Sequence, residues 1–257
     1  CHSGGQPKAP SLEMMGYLAP ASLYRVLTEG GMRSMAEHLS DVEKRQVTAF
    51  VTGRELSDDD GAEALLFCES GAEREGRAVP DIVGWGVTPA NTRAYTAAQT
   101  ALSRDNLGRL RLKWAFGFPD AVRARSQPLV AGDRVFVGSQ DGTVYALDRA
   151  SCVHWRFFAR SEVRTGILMA GDTKDPLLLF GDYLGYVYAV GARDGELRWD
   201  DKADDHPAAT ITGTPAVHGT SLYVPVTSLE VASAARPSYP CCTFRGSVVA
   251  YDWRTGE

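Results

Sequence analysis

Three stretches of the chain lie over one another in the same order of residue types. They are "SQPLVAGDRVFVGSQDGTVYALDRASCVHW" (126–155), "RTGILMAGDTKDPLLLFGDYLGYVYAVGARDGELRW" (164–199) and "TGTPAVHGTSLYVPV", which resumes at "RGSVVAYDWRTGE" (212–257). Each reads as an apolar strand, a Gly turn, an alternating strand, a second Gly turn and a third strand ending Y-A-L-D or similar. An Asp/Gly turn and a Trp-bearing strand complete the first two copies. Segments such as "DRVFVGS" and "GTVYALD" alternate as half-buried strands do. Tyr145 to Tyr188 is 43 residues, the length of one four-stranded propeller blade. Unrelated hairpins would not repeat the same turn chemistry in order. The expected fold is therefore an all-β propeller, with residues 85–257 supplying its first blades, about three. So few blades cannot close a ring, and an open end exposes unpaired strand edges. The rest of the propeller is expected beyond Glu257.

The third copy is stretched. Ala189 to Ala250 is 61 residues, and the surplus falls in "TSLEVASAARPSYPCCTFRG". An insertion between strands of a rigid propeller lies at one of its faces, where ligands bind. Cys241 and Cys242 stand side by side within it. A bond between them closes no chain loop of any size, so stability is a poor motive for it. Free buried thiols, or bonds from each to Cys68 or Cys152, are the other arrangements the sequence allows. A stiff, polarisable disulfide ring would make a flat platform for a planar molecule.

Charge and hydropathy exclude some partners. A formal net charge of −5 gives no electrostatic reason to expect nucleic acid or an anionic membrane. No apolar run approaches the roughly 20 residues of a membrane span. The five cysteines are an odd number. If Cys1 is otherwise committed, the remaining four form pairs, which suits an oxidising compartment. His38, His154, His206 and His218 have no metal-site spacing and read as surface residues.

The first 54 residues have a different texture. The chain opens "CH", with neither an initiator Met nor a signal peptide, and is read as a fragment cut at both ends. Leu23, Val26 and Leu27 fall at helical spacing before Gly30 and Gly31. Ser40 and Glu43 make a capping box, with Val47, Phe50 and Val51 as the apolar stripe of the helix behind it. This short helix, Met-bearing loop and capped helix resemble the C-terminal part of a small class I cytochrome c. The resemblance makes Cys1 and His2 the end of a C-x-x-C-H haem attachment motif, with His2 as proximal ligand. Met32 then becomes the other axial ligand, with Met35 in reserve. A thioether is a soft ligand that raises the iron's reduction potential. Residues 55–84 are acidic and aperiodic and read as a linker.

The repeat resembles the quinoprotein (PQQ-type) eight-bladed propellers, whose copies carry Y-A-L-D-x-x-T-G-x-x-x-W. The match spans residues 110–257, and Asp252, Trp253, Arg254, Thr255 and Gly256 follow it well. The first copy departs from it: Cys152 stands where Gly is usual, and its turn is one residue short. "GWGVTPANTR", "LRLKWAFGFP", "VRTGI" and "SYPCCTFRGSVVAYD" narrow the resemblance to the polyvinyl alcohol dehydrogenase type of quinohaemoprotein. That family joins a cytochrome c domain to a propeller that binds pyrroloquinoline quinone (PQQ).

The resemblance implies a set of roles. Cys241 and Cys242 would form the disulfide that packs on PQQ, leaving Cys68 and Cys152 as the second pair. Glu230 would ligate the Ca²⁺ that bridges quinone and protein. Arg164 would meet a PQQ carboxylate, and Thr212 and Thr214 would donate hydroxyl hydrogen bonds. The implied activity is periplasmic oxidation of an alcohol, small or polymeric, with electrons passing through haem c to an external acceptor such as a cytochrome. No position in this chain matches the family's catalytic Asp, which belongs to later blades, so the fragment alone is expected to be inactive. Two other classes stay open: a non-catalytic periplasmic scaffold propeller, and an electron-transfer cytochrome with a docking propeller.

Overall fold

The computed structural model describes residues 2, 9–30, 32–57, 65–69, 86, 92–96, 100, 102–119, 121, 123–172, 174–235 and 237–257. Cys1, Gly31, Trp85 and most of the expected linker lie outside the described residues.

The repeat becomes three antiparallel sheets. Strands β1 (Leu129–Ala131), β2 (Arg134–Gly138), β3 (Thr143–Asp148) and β4 (Val153–Phe158) pair in chain order. So do β5 (Leu168–Ala170), β6 (Leu177–Gly181), β7 (Tyr186–Gly191) and β8 (Leu197–Lys202). In the third sheet β10 (Ala216–His218), β11 (Ser221–Ser228) and β12 (Ser247–Asp252) pair in order, and β9 (Ala209–Thr210) pairs with the end of β11. The copies match in detail. The register breaks between Ala146 and Leu147 in one blade and between Ala189 and Val190 in the next, the same position of each repeat. These are the blades of a β-propeller.

The core lies between the blades. Phe136, Val144, Ala146, Leu178, Phe180 and Tyr188 interleave between the first and second sheets. Leu179, Val187, Ala189, Ile211, Leu222 and Val224 do so between the second and third. Each large apolar side chain so buried contributes about 1.5–3 kcal/mol. Because both faces of the middle sheet are covered, β6 and most of β7 are buried rather than alternating.

The Gly and Trp of the repeat form a latch between neighbours. Gly195 sits at φ +75° against Trp155 of the preceding blade, where an added Cβ would lie 2.6 Å from the indole ring. Gly256, at φ +77°, meets Trp199 in the same way at 2.8 Å. Each indole donates to the adjoining turn, Trp155 Nε1 to the Ala192 carbonyl at 3.3 Å and Trp199 Nε1 to the Trp253 carbonyl at 3.0 Å. Only glycine tolerates that backbone without a side chain that would strike the ring. Trp114 repeats the bond, donating to the Arg149 carbonyl at 2.9 Å. "LKWAF" thus places its Trp on the first blade's turn as the Trp-bearing strands place theirs, although it pairs as no strand among the described residues. In the first blade the left-handed position falls on Ser151, φ 72°, one residue before the Cys152 that the sequence alignment placed there.

The helical segment is built as its caps predict. It contains α1 (Leu12–Gly16), α2 (Pro20–Thr28) and α3 (Asp41–Thr52). Ser40 accepts from the Glu43 N–H while Glu43 accepts from the Ser40 N–H, closing the capping box. The expected apolar stripe of α3 is split: Val51 packs on Met14, Met15, Leu18 and Leu23, whereas Phe50 is 88% exposed and Val47 is also exposed. Thr48 and Thr52 are the buried residues of α3, a small-residue face that lets α1 and α2 approach.

This segment rests on one end of the blades. The β2–β3, β6–β7 and β11–β12 connections are the corresponding turns of the three repeats, and all three meet this segment. Ser22 Oγ and Arg25 both donate to the Asp141 carbonyl in the first of these turns. Met14, Met15, Leu18 and Leu23 pack on Leu184 in the second, with Leu229 of the third against the same cluster.

Candidate functional site

The end that receives the helical segment also carries the residues the sequence singled out. The connection between β11 and β12 is the long insertion, opening with the short helix α4 (Glu230–Ser233). Arg164 stands just before β5, and Thr212 and Thr214 lie between β9 and β10, at that same end.

Cys241 and Cys242 are bonded to each other, through a cis peptide, and both are exposed. Cys68 and Cys152 form the second disulfide across 84 residues, pinning residues 66–68 beside β4. The free-thiol and crossed-pair arrangements are therefore set aside.

Glu230 lies directly beneath the cysteine loop. It is 4% exposed. Its Oε1 accepts from the Tyr239 hydroxyl at 2.9 Å, the Thr243 N–H at 2.9 Å and the Thr243 hydroxyl at 3.0 Å. Its Oε2 accepts from the Phe244 N–H at 2.8 Å. Burial pushes the carboxyl's pKa up, but these hydrogen bonds to the charged form outweigh it and hold the group down at about 2. With three donors on Oε1, a cation at Glu230 would have to use Oε2. Among the described residues, the one cluster of three candidate metal ligands is Cys68, Asp148 and His154, and Cys68 is already in a disulfide.

His206 belongs to this neighbourhood, not to the open surface. Its Nε2 is 2.8 Å from the Thr243 hydroxyl and 3.9 Å from Glu230 Oε1, and its ring meets Phe244 edge-on. No sequence signal pointed to it, because His206 and Thr243 are 37 residues apart and join only through the fold.

Arg164 donates to Glu162 Oε2 at 2.9 Å and lies 3.9 Å over the Tyr183 ring. Arg123 donates to the same carboxylate at 3.0 Å, so two guanidinium groups share one buried Glu162. Glu162 and Arg123 were not singled out by the sequence. Arg164 Nε is buried without a partner among the described residues. Thr214 Oγ1 accepts from the Gly166 N–H at 2.8 Å, tying two blades together and keeping its own hydrogen to donate. Thr212 is exposed.

In the helical segment, His2 Nδ1 lies 2.7 Å from the Pro10 carbonyl. A backbone acceptor there makes Nδ1 the protonated nitrogen and leaves Nε2 as a free donor of its lone pair, the usual state of a metal-ligating His. Met32 is half-buried in the loop, whereas Met35 is 65% exposed.

Comparison with known proteins agrees with this architecture. The PQQ_2 family model, described as outer membrane protein assembly factor BamB, matches residues 43–257. Polyvinylalcohol dehydrogenases of Pseudomonas sp and of Sphingopyxis sp. (strain 113P3) are each 30% identical over 277 aligned positions. Those alignments take in 100% of this chain but only 43% and 42% of the relatives. The chain therefore spans less than half of their length. Methanol dehydrogenase [cytochrome c] subunit 1 of Paracoccus denitrificans is 26% identical, covering 69% of this chain and 29% of that protein. Among solved structures, a europium-containing methanol dehydrogenase superposes with a TM-score of 0.53 at 26% identity, over 72% of this chain and 31% of the other. The quinohemoprotein alcohol dehydrogenase from Comamonas testosteroni gives 0.54 at 21% identity, over 73% and 27%.

Proposed function

We propose, from the premise that this chain belongs to the family of PQQ-type β-propellers and has polyvinyl alcohol dehydrogenases among its relatives, that its parent protein is a PQQ-dependent alcohol dehydrogenase passing electrons through haem c. The single observation that carries this reading is the Cys241–Cys242 disulfide, exposed at the blade end on which the helical segment rests. PQQ supplies, when bound, the two-electron acceptor for alcohol oxidation. The residues present suit it. The disulfide offers a rigid polarisable surface, and the paired Arg123 and Arg164 on one Glu162 leave a positive charge for an anionic carboxylate. Arg164 Nε has a hydrogen for such a group, and Thr212 and Thr214 have hydroxyls.

Haem c would be held by Cys1, His2 and Met32. The Pro10 carbonyl orients the His2 ring, and the half-buried position of Met32 favours it over Met35. Calcium would accompany the quinone; Glu230, the ligand the sequence resemblance implied, has only Oε2 left for it, and that oxygen already accepts from the Phe244 N–H. Two disulfides suit the periplasm, and no helix among the described residues is long and apolar enough to cross a membrane. The scaffold reading, which the family model's description would suggest, has no use for the adjoining cysteine pair.

The test is dye reduction by the intact protein with ethanol, a secondary alcohol and polyvinyl alcohol. Reduction that requires both added PQQ and Ca²⁺ is expected. A protein that takes up haem but never PQQ would leave the docking-propeller reading in its place.

A further inference from the structure

We infer that Glu230 is a positioning residue for the Cys241–Cys242 loop: a buried carboxylate onto which the loop closes, backed by His206. Its consequence for cofactor binding rests on the function proposed above; its geometry does not. The donors reach Glu230 from both sides of the pair. Tyr239 precedes the cysteines, while the N–H groups of Thr243 and Phe244 follow them directly. Two successive backbone N–H groups fixed on one carboxylate define the path of the chain leaving Cys242. A buried carboxylate is stable only with such donors, so loop and side chain hold each other.

His206 completes the arrangement. The Thr243 hydroxyl has one hydrogen, given to Glu230 Oε1. The 2.8 Å contact with His206 Nε2 therefore makes the imidazole the donor. His206 Nδ1 accepts from the Ala208 N–H at 3.2 Å, which requires the same tautomer. The relay His206 to Thr243 to Glu230 thus has a single direction. At the far end of α4, Ser233 Oγ meets Glu13 Oε2 of α1 at 2.7 Å. One short helix holds the cysteine loop and touches the helical segment.

A cation ligand and a loop clasp behave differently. Hydrogen exchange read by mass spectrometry on the intact protein separates them, in wild type, Glu230→Gln and the milder Tyr239→Phe. Glutamine keeps the shape and an acceptor at Oε1, but its amide nitrogen faces the Phe244 N–H. Exchange of the peptide spanning 238–247 is expected to quicken about tenfold in Glu230→Gln and less in Tyr239→Phe. Peptides from β3 and β7 should match wild type, and added CaCl₂ should alter none of them. Unchanged exchange of 238–247 in both variants would overturn the inference. So would CaCl₂ slowing that peptide in wild type, because the ion would then be the carboxylate's partner. PQQ affinity should fall about tenfold in Glu230→Gln without recovery at high Ca²⁺. If wild type itself binds no PQQ, the proposed function fails while the exchange data still decide the clasp.

Discussion

Replacing Gly195 by alanine asks how much the repeat's Gly–Trp latch is worth. Two effects add. An L-residue at φ +75° costs about 1 kcal/mol relative to glycine. The new Cβ would also stand 2.6 Å from Cδ2 and Cε3 of Trp155, far inside normal carbon contact at about 3.5–4 Å. The ring cannot swing away freely. Trp155 is buried, packs on Phe136 and donates to the Ala192 carbonyl. Forcing that shift adds about 1–3 kcal/mol, so the total is about 3 kcal/mol. Gly219→Ala and Gly53→Ala isolate the first effect. Both glycines have positive φ, +60° and +67°, and a Cβ at either would meet nothing within 4 Å. Each control should lose only about 1 kcal/mol. Urea unfolding, with midpoints compared at equal m, gives the three values. A Gly195→Ala loss no larger than the controls would refute the claim that a ring against a bare Cα joins the blades.

Three further outcomes follow from particular residues. Burial raises the Asp182 pKa to about 6, over the opposing hydrogen bonds from Tyr186, Tyr188 and Leu184. Between its ordinary 3.8 and about 6 only the folded state holds that proton, so stability falls as pH rises through this window and levels off above it. Asp182→Asn should remove a component of about 3 kcal/mol from the pH 4 to 6 slope, and an unaltered slope would contradict the assignment. Cys68→Ser with Cys152→Ser opens an 84-residue loop and should cost about 4 kcal/mol in urea unfolding. Met32→Leu should lower the haem reduction potential in the holoprotein while the exposed Met35→Leu leaves it in place; the reverse order would move the ligand to Met35.

The blades were legible because their information is local and repeated. Strand alternation, turn glycines and the spacing of Tyr145 and Tyr188 all lie within one copy or between adjacent copies. The capping box of α3 was legible for the same reason, being complete within Ser40 to Glu43. What escaped was set by distance. His206 reads as a surface histidine until the fold brings Thr243 to it, and Glu162 is an ordinary acid until Arg123 and Arg164 converge on it. The split stripe of α3, with Val51 packed and Val47 and Phe50 exposed, shows the limit of periodicity, which gives a face but not which neighbour covers it. Glu230 illustrates a chemical ambiguity. A lone acid in a ligand-facing insertion suits a cation or a ring of N–H donors equally, and only the path of residues 239–244 reveals the donors.

PQQ binding to the intact protein with Cys241→Ser and Cys242→Ser is the measurement closest to the central claim. The pair closes no loop, so the double variant should unfold within about 0.5 kcal/mol of wild type. Its affinity for PQQ should nevertheless fall at least about tenfold, the loss of one stacking face. Wild-type affinity in the double variant would contradict the account, because the disulfide would then not be the surface on which the quinone rests.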